Sequence, residues 1–167
     1  MRDPTSPPLP VADRPHMPEY GILPPDEGRG LLPWSWAAER LAASHNYWLA
    51  TTRPDGRPHL MAVWGVWFDG RFCFSTARSS VKARNLRRNP RCVVSTESGA
   101  EAVIVEGKAD EVDDSSFRSQ IERAYTAKYG EGFPSVSHLL AVRPQVAFAF
   151  IEAGEDFVGA ATRWRFG

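Results

Sequence analysis

The chain has no surplus charge of either sign: its 20 lysines and arginines are balanced by 20 aspartates and glutamates over 167 residues. A formally neutral molecule is not built as a whole to coat nucleic acid or an anionic membrane, so any electrostatic work must come from a local cluster. Cysteine is scarce. Cys73 and Cys92 sit inside the apolar runs FCF and CVV, which reads as two reduced core thiols with neither a disulfide framework nor metal-ligand spacing. No apolar run approaches the roughly 20 residues a membrane helix needs. The N-terminus is proline-rich and polar rather than basic and then apolar, so it is not a secretory leader and the expected location is cytoplasmic. No serine-histidine-aspartate set, paired carboxylates or zinc pattern stands out, and His16, His45, His59 and His138 are scattered singly. A catalytic side chain is therefore not assigned.

What is present begins with proline. Pro4, Pro7, Pro8, Pro10, Pro15, Pro18, Pro24 and Pro25 leave little room for helix or paired strand. Residues 1–30 are read as a tail, either disordered or laid across the surface as an extended strap, with the folded domain at 31–167. A helix is expected across LPWSWAAERLAAS, with Trp34, Ala37, Ala38, Leu41 and Ala42 on one stripe. The strand YWLATT (47–52), the turn RPDG, the long apolar strand PHLMAVWGVWFD (58–69), the hairpin signal Asp69-Gly70 and the strand RFCFST (71–76) make a meander. A short helix over 79–89 follows, stopped by Pro90. Strands at 91–96 and 102–114 come next, the second with Gly107 inside it, which marks a bulge or sharp bend. A helix at 115–130 and a strand at 145–153 complete the pattern. These six strands and three helices fit a mainly β (α+β) domain, a closed or split antiparallel barrel with short flanking helices.

The informative stretch is FSTARSSVKARNLRRNPR (74–91). No acid occurs between Asp69 and Glu97, while Arg71, Arg78, Lys82, Arg84, Arg87, Arg88 and Arg91 all do. Ser75, Thr76, Ser79 and Ser80 crowd the point where the strand hands over to the helix, whose first N–H groups are free and carry partial positive charge. Lys82 and Asn85 stand three apart, close enough to address one bound group. The arrangement suits an anion, and it equally describes a solvated basic helix with serine caps.

These blocks resemble the split-barrel flavoproteins related to pyridoxamine 5′-phosphate oxidase, and in particular the actinobacterial branch that uses the deazaflavin coenzyme F420. The resemblance is carried by YWLATTRPDGRPHLMAVWGVW, FSTARSSVKARNLRRNPRCVVS, AVIVEGKADEV and the C-terminal ATRWRF, in family order across roughly residues 35–167. It implies a homodimer with cofactors at the subunit interface. It places the cofactor phosphate on Ser75, Thr76, Ser80, Lys82 and Asn85, and the ring along Met61, Ala62, Val63 and Trp64. Two departures count against oxidation of vitamin B6. Val81 stands where the oxidases have an arginine before the lysine, and the basic residues of their second strand are replaced by Leu60 or Met61 and by Trp64 or Gly65. The expected function is F420-dependent hydride transfer to a small organic acceptor. A flavin mononucleotide (FMN) enzyme and a cofactor carrier without turnover are the alternatives. Arg84, Arg87, Arg88 and Arg91 would suit the longer anionic tail of F420. A nucleic-acid-binding barrel is disfavoured by the zero net charge and the absence of aromatics interleaved in the basic strip.

Overall fold

The computed structural model describes residues 9–133 and 138–167; Pro4, Pro7 and Pro8 of the tail lie outside these. Nine strands join one antiparallel sheet. In chain order they are β1 (Val11–Asp13), β2 (Tyr47–Thr52), β3 (Pro58–Val63), β4 (Val66–Phe68), β5 (Arg71–Thr76), β6 (Arg91–Thr96), β7 (Glu101–Glu111), β8 (His138–Ile151) and β9 (Thr162–Arg165). The helices are α1 (Trp34–Ala43), α2 (Val81–Arg88), α3 (Ser115–Tyr129) and α4 (Glu155–Ala160).

The sheet closes on itself through two devices. First, β8 pairs with β7 along one edge and divides its other edge, giving residues 138–142 to β5 and 146–149 to β9. Second, the long apolar strand expected at 58–69 breaks at Trp64-Gly65. Its first half pairs with β2 and its second half with β5, which joins the two ends of the path β2-β6-β7-β8-β5-β4. This is the split barrel. The interior is filled by Tyr47, Leu49, Phe72, Phe74, Val94 and Val142, the inward positions of their strands, together with Leu86 of α2.

Three strands exceed the expected six, and each has a local cause. Gly65 produces β4 by breaking its strand. A Cβ there would lie 2.4 Å from the Phe72 ring and 2.7 Å from the Cys73 carbonyl, so only glycine lets the chain cross so close to β5. The second extra strand, β9, belongs to the C-terminal ATRWRF block. The third, β1, comes from the proline-rich segment, where order begins well before Leu31. Val11–Asp13 pairs with Arg163–Arg165 of β9, and Asp13 holds both Arg163 and Arg165 at 2.7 Å. The Arg14 guanidinium donates to the carbonyls of Ala161 at 2.8 Å, Pro24 at 3.0 Å, and Glu27 and Gly159 at 3.1 Å. Residues 9–30 are thus an extended strap, fastened by the β1–β9 pairing, by Asp13 and by the Arg14 guanidinium on carbonyls from both ends of the chain.

Strand β8 also starts earlier than expected, because Pro144 falls opposite Gly107 at the β7 register shift, where a missing N–H is tolerated. The cap of α3 is Asp114, accepting from the Phe117 N–H, rather than Ser115. Trp164 is 1 % exposed and packs 5.3 Å from Trp34, an edge-on aromatic contact in the core beneath α1.

Candidate functional site

The handover from β5 to α2 is built by hydroxyls. Ser80 is the N-cap of α2 and its Oγ accepts the Ala83 N–H at 3.2 Å. Thr76 Oγ1 lies 3.0 Å from the same Ser80 oxygen. Thr76 shares the inward strand face with Phe72 and Phe74, whereas alternation puts Ser75 on the Cys73 face, toward α3. The structure therefore brings Thr76, Ser80 and Lys82 to one end of α2 and does not bring Ser75 with them.

Lys82 is half-buried. Burial lowers its pKa from the ordinary lysine value, and among the described residues it forms no ion pair. Asn85 turns further inward than the shared-face expectation. It is 3 % exposed, and its Nδ2 donates to Thr51 Oγ1 of β2 at 3.0 Å. Asn85 thus clamps α2 against the barrel wall. Thr51 Oγ1 is in turn 3.4 Å from Nδ1 of His59 on β3. The His59 pKa is held down by burial and by the nearby charges of Arg53 and Lys82. The charges of Lys82 and Arg53 thus both act on the His59 imidazole, and among the described residues none of the three forms an ion pair with a carboxylate; Asp55, in the same turn as Arg53, feels the Arg53 charge but is paired with Arg57. Neither His59 nor Arg53 was singled out as a ligand in the sequence; the signal was the Arg-Pro-Asp-Gly turn, which folds β3 back so that His59 faces Thr51.

Strand β3 pairs with β2 and, among the described residues, leaves its other edge free. Leu60, Met61 and Trp64 are 57 %, 45 % and 39 % exposed, and Ala62 is exposed, while Val63 is buried in the barrel core. An apolar strand with an unpaired edge is unusual in a finished surface. Trp64 is not free to take a ring on both faces: it stacks on Tyr129 with centroids 4.6 Å apart and planes 4° from parallel, and its Nε1 donates to Asn46 Oδ1 at 3.1 Å.

The strand break is held from below by α3. The Tyr129 hydroxyl donates to a backbone carbonyl, with the His45 and Gly65 oxygens at 2.7 and 2.8 Å, and it accepts the Gly65 N–H at 3.0 Å. Lys128 Nζ donates to the Tyr47 hydroxyl at 2.6 Å and to the Gly65 carbonyl at 3.1 Å. The Tyr47 hydroxyl in turn donates to the Leu41 carbonyl. Burial lowers the Lys128 pKa to about 8, with a weaker opposing pull from Glu97. A lysine whose folded pKa lies below its unfolded value favours the unfolded state when charged, so its contribution to stability improves as pH rises from about 8 toward 10.5. Cys73 and Cys92, both pushed up to about 12, act in the opposite direction above pH 9. The comparison that isolates Lys128 is therefore wild type against Lys128→Met in chemical denaturation. The gap should move in favour of wild type between pH 8 and 10, and a pH-independent gap would contradict the assignment.

The family model for pyridoxamine 5′-phosphate oxidase matches residues 36–154. The chain belongs to this family. Among solved structures, an F420 reductase is 25 % identical, with a TM-score of 0.54 over 65 % of this chain and 93 % of its own. A conserved hypothetical protein from Mycobacterium tuberculosis is 23 % identical, with a TM-score of 0.64 over 78 % of this chain and 87 % of its own. A heme-binding protein from Mycobacterium smegmatis is 20 % identical, with a TM-score of 0.57 over 71 % of this chain and 54 % of its own. The last two share the fold. A search of the curated proteins finds no match. Among the described residues of this family member no helix is long and apolar enough to cross a membrane, and no group of three or more histidine, cysteine, aspartate or glutamate side chains is placed to hold a metal ion.

Proposed function

We propose that this protein binds coenzyme F420 at the interface of a homodimer and uses it to reduce a small unsaturated or carbonyl-type organic acceptor. The observation that carries the proposal is Lys82, a half-buried ammonium whose charge is felt by His59 and which has no carboxylate partner among the described residues. Desolvating a cation without compensation is unfavourable unless an anion supplies it on binding. The α2 N-terminus adds the N–H groups of Val81 and Lys82, and Thr76 adds a hydroxyl.

The coenzyme would supply the hydride. The chain's own part is to hold the phosphoryl end, to lay Met61 and Ala62 of β3 along the ring, and to exclude water. The exposed Arg84, Arg87 and Arg88, unpaired among the described residues, favour the long anionic tail of F420 over FMN, which ends at its phosphate. The F420 reductase relative supports the same choice.

A single chain leaves this site open on one side. Register pairing lines up Ala62, Trp48, Ser95, Ile104 and Phe148 across the outer sheet face, with Leu60, Ala50 and Val93 in the adjacent row. Trp48 is 45 % exposed. Beside these rows runs a cleft of about 460 Å³ lined by Thr52, Arg91, Glu106, Gly107 and Gln145. A second copy laid on this face would bury the apolar rows and roof the ring.

Titration of F420 and FMN into the purified protein tests the cofactor: F420 should bind the more tightly, and a preference for FMN would replace the first reading by an FMN enzyme. Binding of F420 without oxidation of its reduced form by any acceptor would mean a carrier. In sedimentation experiments Trp48→Glu combined with Leu60→Glu should yield a folded monomer that has lost cofactor binding. A dimer unchanged by both substitutions would refute the interface.

A further inference from the structure

We propose that His59 is a working member of the anion site, presenting its Nε2 hydrogen to the bound phosphoryl group and taking up a proton from solvent when that group arrives. This rests on the anion-site reading and adds to it the protonation behaviour of the pocket.

The tautomer follows from the hydrogen-bond chain. Asn85 Nδ2 can only donate, so Thr51 Oγ1 accepts at 3.0 Å. The hydroxyl hydrogen of Thr51 is then free to point at its neighbour, Nδ1 of His59, at 3.4 Å. A neutral imidazole that accepts at Nδ1 carries its hydrogen on Nε2. The buried Asn85 fixes Thr51, Thr51 fixes the ring, and the remaining donor is turned away from the barrel wall. The same hydroxyl tolerates the protonated ring, because it can rotate and accept from Nδ1 instead.

The charges around the ring set its response. Burial opposes protonation of the ring, and so do the charges of Arg53, in the turn after β2, and of Lys82, on α2. Among the described residues no carboxylate forms an ion pair with any of the three; Asp55, in the same turn as Arg53, feels the Arg53 charge and is itself paired with Arg57. In the free protein these groups therefore push the imidazole toward its neutral form. A phosphoryl anion seated on Lys82 reverses the sign of the local potential and favours imidazolium. Ligand binding and proton uptake are then linked, and lower pH must tighten binding through this group.

The experiment is a set of FMN and F420 titrations between pH 6 and 8 on the full chain, its His59→Gln variant and its Lys82→Ala variant. Comparison with His59→Gln cancels the titration of the ligand's own phosphate, and glutamine keeps a donor near the Nε2 position. The ratio of wild-type to His59→Gln affinity should grow about tenfold from pH 8 to pH 6, the equivalent of one pKa unit. In the full wild-type chain the His59 ring resonances should titrate at higher pH with FMN bound than without it, a measurement that stands even if the variant folds poorly. An affinity ratio constant with pH, or an unmoved His59 titration, overturns the role of His59 while weakened binding by Lys82→Ala keeps the site. Undiminished binding by Lys82→Ala overturns the site itself.

Discussion

Lys82→Ala should weaken cofactor binding about ten- to a hundred-fold with little change in thermal stability. A charge-assisted contact to phosphate contributes about 1.5–3 kcal/mol, which converts to that range of dissociation constants. Fold stability should be spared because Lys82 is half-buried and, among the described residues, holds no carboxylate. Alanine removes a cation that burial disfavours. The paired control is Arg87→Ala. Arg87 is exposed in the last turn of α2, so its loss should leave FMN binding nearly unchanged and weaken F420 binding several-fold through the tail. Fluorescence titration of both ligands reads both variants. Identical affinities for wild type and Lys82→Ala would remove the anion site from this end of α2.

The largest effect on stability is expected at Gly107. A Cβ at this position would lie 2.2 Å from the Arg143 carbonyl oxygen and 2.9 Å from Val142 Cγ1. The first obstacle is backbone, so no side-chain rotation relieves it. It lies within the pairing of β7 with β8, where the register shifts and Pro144 sits opposite. It is also the point at which β8 passes from β5 to β9. Gly107→Val must therefore push apart the two longest strands where the barrel splits. Overpacking of this kind costs about 3 kcal/mol or more, and a chain of this size loses roughly 2–4 °C of Tm per kcal/mol. Calorimetry should show a fall of about 10 °C. Gly99→Val, where a Cβ meets nothing within 4 Å, should fall by far less. Equal melting of the two variants would mean that β8 accommodates the added methyls.

Local features of the sequence were enough to announce much of this molecule. The β-favouring composition of YWLATT and the period-two alternation of the strand after Pro144, together with the Asp-Gly turns, mark strands and hairpins because side-chain direction along a strand is set by the backbone alone. Gly107 as a bulge was legible for the same reason: a glycine inside an apolar alternation has few other uses. The α2 boundaries were within reach because a serine cap and a following proline act through their nearest neighbours. Ser80 and Lys82, the N-cap and the second residue of one helix, share its first turn and needed no tertiary information to be placed at the same end.

Contacts made across long sequence separations decided the rest. Ser75 and Thr76 are adjacent in sequence, yet the core on one side and α3 on the other separate them. Asn85 looked like a partner of Lys82 until Thr51, 34 residues away, claimed its amide. His59 acquired meaning only when barrel closure set it against Thr51 and within the field of Arg53 and Lys82. The strap at 9–30 is held by Asp13 on Arg163, 150 positions away, and proline-rich composition cannot announce a distant partner. Composition and period thus determined a neutral, mainly β barrel, closed or split, with one acid-free basic handover from strand to helix. Which side chains meet there, and which strand is left with an apolar free edge, was decided by barrel closure. Closure alone brings residues from both ends of the chain within hydrogen-bonding distance, where side-chain direction and local charge acquire their chemical consequence.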